Sequence, residues 1–209
     1  EKDVDWLQFA ITVPEELGPK FARLKKVVME RNNLRILEFK RSKDVIAYGD
    51  AVFEVINEAY SNLYGVVELD DRQVRNYIKQ YLSFVRPEFI KIMVDEEEEV
   101  VAFAISLPRL SDALQKADGR LLPLGFLHLL RAMKHPEELV FYLIGVRPAY
   151  QNKGLNAVLL TDLYQECRNH GIHTVQTCGE LEHNSNVVTL MKNFEHRMNK
   201  RRRCYIKHL

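Results

Sequence analysis

Two spacings of apolar residues alternate along the chain. The run from Leu139 to Val146 is continuously apolar and rich in β-branched and aromatic residues, and Pro148 forbids its extension, which predicts a buried central strand. Beyond Gly154, the residues Leu155, Val158, Leu159, Leu163 and Cys167 recur at spacings of three and four until His170 and Gly171, predicting a helix. The same reading extends through the rest of the chain. Residues 6–13 alternate as a strand, and Pro14 opens a helix to about Asn32 with Leu17, Phe21, Leu24, Val27 and Val28 on one face. A strand over 34–39 is followed by a long helix over 45–63, with Ser42 to Asp44 as candidate caps, and by a second helix over 71–85. Strands over 89–94 and 100–107 flank the acidic run 95–99 and predict a hairpin. Two short helices over 110–117 and 124–134 form an insertion, and the chain ends with a strand over 174–178, a helix over 184–194 and a strand over 203–207.

Composition narrows this pattern to a folded protein without a marked charge bias. A chain of 209 residues, 46% apolar and 28% charged, is large enough for one sizeable core, and a net charge of +1 gives no general attraction to DNA or to a membrane surface. Lys200 to Arg203 is a local basic cluster, read as a solvated strand start or a contact for phosphate. The three cysteines, Cys167, Cys178 and Cys204, are odd in number and lack metal-ligand spacing, so reduced thiols, no metal site and a cytoplasmic location are expected. The most apolar stretch, 121–130, is too short to span a bilayer and contains a proline.

The chemistry concentrates where the central strand meets its helix. Gln151, Asn152, Lys153, Gly154, Leu155 and Asn156 form a six-residue turn into that helix. First-turn amides at the positive end of a helix dipole attract anions, and glycine lets the main chain approach one closely. The order strand, Val-Arg-Pro-Ala-Tyr-Gln-Asn-Lys-Gly, helix resembles the coenzyme A loop of the GNAT acyltransferases. That family's pattern ends in Gly or Ala where this chain has Asn156. The order of elements from Leu34 onward is also similar to the GNAT fold, an α/β (α+β) architecture with a central mixed, twisted sheet and helices on both faces.

The resemblance implies a division of the chain and a set of roles. Residues 34–209 would be the GNAT-like domain with an insertion at about 109–135, and residues 1–33 a lead-in strand and helix. Together with Glu1 in place of a starting methionine, those first residues look like the end of a preceding half of a two-domain protein, a further contact partner. By resemblance, Ile144, Gly145 and Val146 offer main-chain groups to the pantetheine arm of acetyl-CoA or another acyl-CoA, with Gly145 suited to a bulge. Glu182-His183-Asn184 resembles the family's Glu-x-Asn segment, which makes Asn184 a coenzyme contact or a helix cap. Seven residues on, where the family commonly has a tyrosine acid, this chain has Met191.

Direct attack by an amine on the thioester needs a base for the ammonium proton and a donor to the carbonyl. Glu180 and Glu182 past the strand end are candidate bases, and Tyr142 on the central strand a candidate donor. The implied activity is acyl-CoA-dependent N-acyl transfer to an unidentified amine. Alternatives are an aminoacyl-tRNA-dependent transferase and a non-catalytic domain of the same fold that binds a ligand or packs against a partner half.

Overall fold

The computed structural model of the chain describes residues 1–82, 85–184 and 194–207. In chain order the elements are β1 (Lys2–Thr12), α1 (Pro19–Arg31), β2 (Arg35–Leu37), α2 (Ser42–Ile46), α3 (Gly49–Tyr60), α4 (Asp71–Tyr77), β3 (Ile90–Val94) and β4 (Val100–Pro108). There follow α5 (Ser111–Lys116), α6 (Gly125–Lys134), β5 (Glu138–Val146), α7 (Leu155–Asn169), β6 (Thr174–Thr177), β7 (Glu180–Leu181) and β8 (His196–Tyr205). The helix expected over 184–194 falls on residues outside those described, apart from its ends. The chain forms two compact units, one of Glu1–Glu15, Leu107–Phe141 and Cys167–Leu209, the other of Glu16–Ser106 and Tyr142–Glu166.

In the first unit β1 is the organising strand. It pairs antiparallel with β6 through Ala10↔Gln176 and Ile11↔Val175, with β7 through Trp6↔Leu181 and Leu7↔Glu180, and with β8 from Lys2↔Tyr205 to Ile11↔His196. The residues read as the tail of a preceding half thus pair with three strands of this chain. β8 begins seven residues earlier than the apolar pattern predicts. Its sequence is dominated by basic residues, and its conformation comes from the pairing with β1 rather than from alternation. Asp5, on β1, is fully buried, and Arg203 of β8 donates to both its oxygens at 2.7 and 2.9 Å. That charge-assisted pair holds the Asp5 carboxyl well below the usual range, at about 2.

In the second unit β2, β3 and β4 form an antiparallel run, with Ile36↔Met93 and Ile92↔Phe103 in register and Phe89, Ile92, Met93 and Phe103 fully buried. The acidic run forms the expected turn, built on Asp95, whose Oδ1 accepts the amides of Glu97 and Glu99 at 3.2 and 3.0 Å. Two helix expectations are corrected. The single helix over 45–63 is interrupted between α2 and α3, and the interruption leads into Gly49, where a β-carbon would lie 2.7 Å from Ile78 Cδ1. The first helix starts at Pro19 rather than Pro14, because Gly18 and Pro19 supply the start and a proline at the first position sacrifices no hydrogen bond. α4 begins on the capping box of Asp70 and Gln73 and runs on into one wider turn, Ile78–Leu82.

The largest departure concerns β5. Leu139, Gly145 and Val146 are buried as expected, but Val140, Phe141, Leu143 and Ile144 are only half-buried and Tyr142 is 39% exposed. The parallel register with β6 runs from Glu138↔Thr174 to Phe141↔Thr177 and stops there, so the second half of β5 has no partner in that strand. A continuous apolar run normally marks a strand covered on both sides. Here it marks a strand whose pairing with β6 ends at Phe141.

Candidate functional site

The second unit assembles the end of β5, the loop after it and the start of α7. Gly145 is set by space rather than by an unusual torsion, since a β-carbon there would stand 2.6 Å from Phe103 Cε1. Arg147 follows the strand and anchors it. Its Nε donates to Val100 O at 2.6 Å, its Nη2 to Glu54 of α3 at 3.3 Å, and its Nη1 to Glu58. Tyr60, the last residue of α3, donates its hydroxyl proton to Ile144 O at 2.9 Å and accepts the Ile144 N–H at 3.3 Å.

The loop itself is tight. Asn152 has φ 61° and Gly154 φ 88°, both in the left-handed region, where asparagine and glycine are the tolerated residues. At Gly154 a β-carbon would also lie 3.1 Å from Val28 Cγ2 of α1, so this residue serves torsion and packing together. Its carbonyl accepts from Ala157 and Val158 at 3.1 and 3.2 Å and begins α7. The amides of Leu155 and Asn156 therefore lie in the first helical turn, with no carbonyl four residues back inside the helix. Gln151 turns its side chain onto the strand end and donates to Val146 O at 3.2 Å. Lys153 Nζ sits 4.7 Å from the ring centre of Tyr150, whose hydroxyl donates to Asp95 at 3.0 Å. Lys25 of α1 grips Asp162 at 2.6 and 2.8 Å and fixes α7 beside α1. The result is a tight turn that brings together first-turn amides, one lysine and a helix N-terminus, groups that can attract an anion.

The remaining candidates belong to the first unit, and its two carboxylates differ. Glu180 is half-buried on β7, and burial alone pushes its carboxyl up to about 7. Glu182 is ion-paired with Lys2 at 2.6 Å and accepts the Asp5 amide at 3.1 Å, which lowers its carboxyl below the ordinary range. Burial and the nearby Glu180 raise the Cys178 thiol. Asn184 is half-buried and donates its amide to Leu181 O at 2.9 Å, and Met191 lies outside the described residues. Tyr142 falls in the second unit with Ile144 to Val146 and the loop. Among the described residues no three His, Cys, Asp or Glu side chains group to hold a metal, and no helix is long and apolar enough to cross a membrane.

Sequence reasoning passed over Tyr60, Arg147 and Asp95. Their partners lie 84, 89 and 55 residues away in the chain, and no local pattern carries such a pairing.

Residues 50–195 match the model of the acetyltransferase (GNAT) family. No curated protein matches the chain by sequence. Among solved structures, the chain is similar to a GCN5-related N-acetyltransferase from Sphaerobacter thermophilus, with TM-score 0.58 and 12% identity over 96% of this chain and 50% of that one. It is also similar to the glucosamine N-acetyltransferase region of a fungal multi-domain β-N-acetylglucosaminidase, with TM-score 0.57 and 9% identity over 96% of this chain and 20% of that one. The chain thus spans half the length of the first and a fifth of the second. At these identities the likeness is one of fold.

Proposed function

The chain belongs to the GNAT acetyltransferase family, and we propose that it binds acetyl-CoA or a related acyl-CoA at the β5–α7 turn and transfers the acyl group to an amine. The observation that carries this reading is Gly154. Its left-handed torsion disfavours any side chain, and a β-carbon would crowd Val28 of α1 at 3.1 Å, beside the first amides of α7, which can receive an anion. The end of β5 supports it as well, because its register with β6 stops at Phe141 and an extended amide-bearing arm can meet Ile144 edge to edge in exchange for the Tyr60 hydroxyl.

Bound acyl-CoA supplies an activated thioester, and the protein's share is to position it and manage protons. The amides of Leu155 and Asn156, with Lys153, hold the pyrophosphate, and the β5 main chain orients the arm. Deprotonation of the incoming ammonium falls to Glu180, whose carboxyl at about 7 is half ionised at neutral pH, the value that makes a general base effective. Glu182, held ionised by Lys2, has the weaker basicity and a structural part. Tyr142, 39% exposed on β5, is assigned the donor to the acyl carbonyl. Asn184 is assigned to the coenzyme side.

The test is a calorimetric titration of the chain with acetyl-CoA and coenzyme A, with Gly154→Glu as the control. Micromolar binding that is lost in the variant supports the reading. Absence of binding to the wild type overturns it and favours an aminoacyl-tRNA donor or a non-catalytic role.

A further inference from the structure

One hydroxyl takes both main-chain groups of one strand residue. The Tyr60 phenol donates to Ile144 O at 2.9 Å and accepts from Ile144 N–H at 3.3 Å, across 84 residues of chain. An extended partner laid along a strand edge meets that edge in the same way, exchanging both groups of every second residue. Ile144 lies past Phe141, where the register with β6 has ended. It is half-buried, so its donor and acceptor each need a partner.

Tyr60 is also firmly placed. α3 buries Val52, Val55 and Ile56, and its Glu54 and Glu58 bind Arg147, which holds the last turn of the helix against the end of β5. The phenol therefore reaches Ile144 from a fixed base.

We propose that the Tyr60 hydroxyl stands in for an amide of the ligand at Ile144, so that only a ligand returning both a donor and an acceptor displaces it without loss. Tyr60 is in this sense a specificity-determining residue for amide-bearing arms such as pantetheine, and the proposal rests on the acyl-CoA reading above. A ligand carrying nucleotide phosphates alone leaves the phenol in place. A ligand offering an ester in place of the amide satisfies the Ile144 N–H and strands its carbonyl.

The test compares the full chain with Tyr60→Phe, which keeps the ring and removes the hydroxyl. Without ligand, amide hydrogen exchange at Ile144 is expected to quicken about fivefold in the variant, because one net hydrogen bond is worth about that factor. Coenzyme A is expected to bind the variant about fivefold more tightly, since no protein bond must be broken first, while adenosine 3′,5′-bisphosphate binds both forms equally. Unchanged exchange at Ile144 overturns the proposal, because the hydroxyl is then not the partner of that amide. Equal or weaker coenzyme A binding by the variant also overturns it, while wild-type binding keeps the acyl-CoA reading intact. If neither form binds coenzyme A, both fall together.

Discussion

The turn after β5 and the short strand β7 prepare for chemistry by opposite means. At the turn the groups assigned to the ligand are main-chain amides, and side chains matter by being absent: a β-carbon would stand 3.1 Å from Val28 at Gly154 and 2.6 Å from Phe103 at Gly145. At β7 the main chain is ordinary strand and the proposed base is a single carboxyl, which burial raises to about 7. A shape built from backbone fails when something is added. A site built from burial fails when something is removed or when water is let in.

That contrast orders the experiments. The greatest effect is expected from Glu180→Gln, which should lower kcat/KM on the order of a hundredfold or more, as loss of a general base does. The same variant should abolish the fall in kcat/KM as pH drops through about 7. An unaltered pH profile would remove Glu180 from the reaction and break the contrast at once. Next is Gly154→Glu, which places a carboxylate at the proposed phosphate site and forces a side chain to φ 88°. Coenzyme A affinity should fall on the order of a hundredfold, read by calorimetry, with like-charge repulsion the larger cause.

A smaller effect, on folding rather than turnover, is expected from the other buried carboxylates. Asp5 has its folded pKa depressed to about 2 by Arg203, so its contribution is complete above the unfolded value near 4 and is lost as pH falls through about 2. Acid unfolding of the wild type should therefore steepen between about pH 4 and pH 2, and Asp5→Asn should remove that step and lower Tm at pH 7. Glu180 has the opposite sign. Its raised pKa favours the protonated form in the folded state, so stability declines as pH rises from about 4.5 to about 7, and Glu180→Gln should flatten that decline in thermal melts across the range. Last comes Glu182→Gln, expected to change kcat by less than about threefold and to leave the pH profile in place, because a surface ion pair contributes little. A Glu182 variant as damaging as the Glu180 one would show that the two carboxylates share the work.

The sequence made the turn legible because its requirements are local. A glycine between an apolar strand and an amphipathic helix is written in adjacent residues, and so are the hairpin over Asp95 and the two insertion helices α5 and α6. β8 was legible only at its end, since Arg197 to Arg203 has no alternation and the strand exists because β1 is there to pair with it. The exposure of Tyr142 was hidden for a related reason. An apolar run indicates what a strand can tolerate, and which of its side chains are covered depends on what packs against the faces of the sheet. The difference between Glu180 and Glu182, two residues apart, depends on Lys2 at the other end of the chain.

The pairing of β1 with β8 joins Lys2 to Tyr205 and Ile11 to His196, contacts separated by nearly the whole chain. Closing so large a loop costs entropy that no neighbouring contact repays in advance, and such pairings slow the search for the native state. During synthesis the edge of β1 that takes β8 therefore stays unpaired while the residues between Ile11 and His196 are made. For that interval the β8 edge of β1, along Trp6, Phe9 and Ile11, is a template for strand addition by another molecule. The strand that organises the first unit is also where misassembly during synthesis would begin.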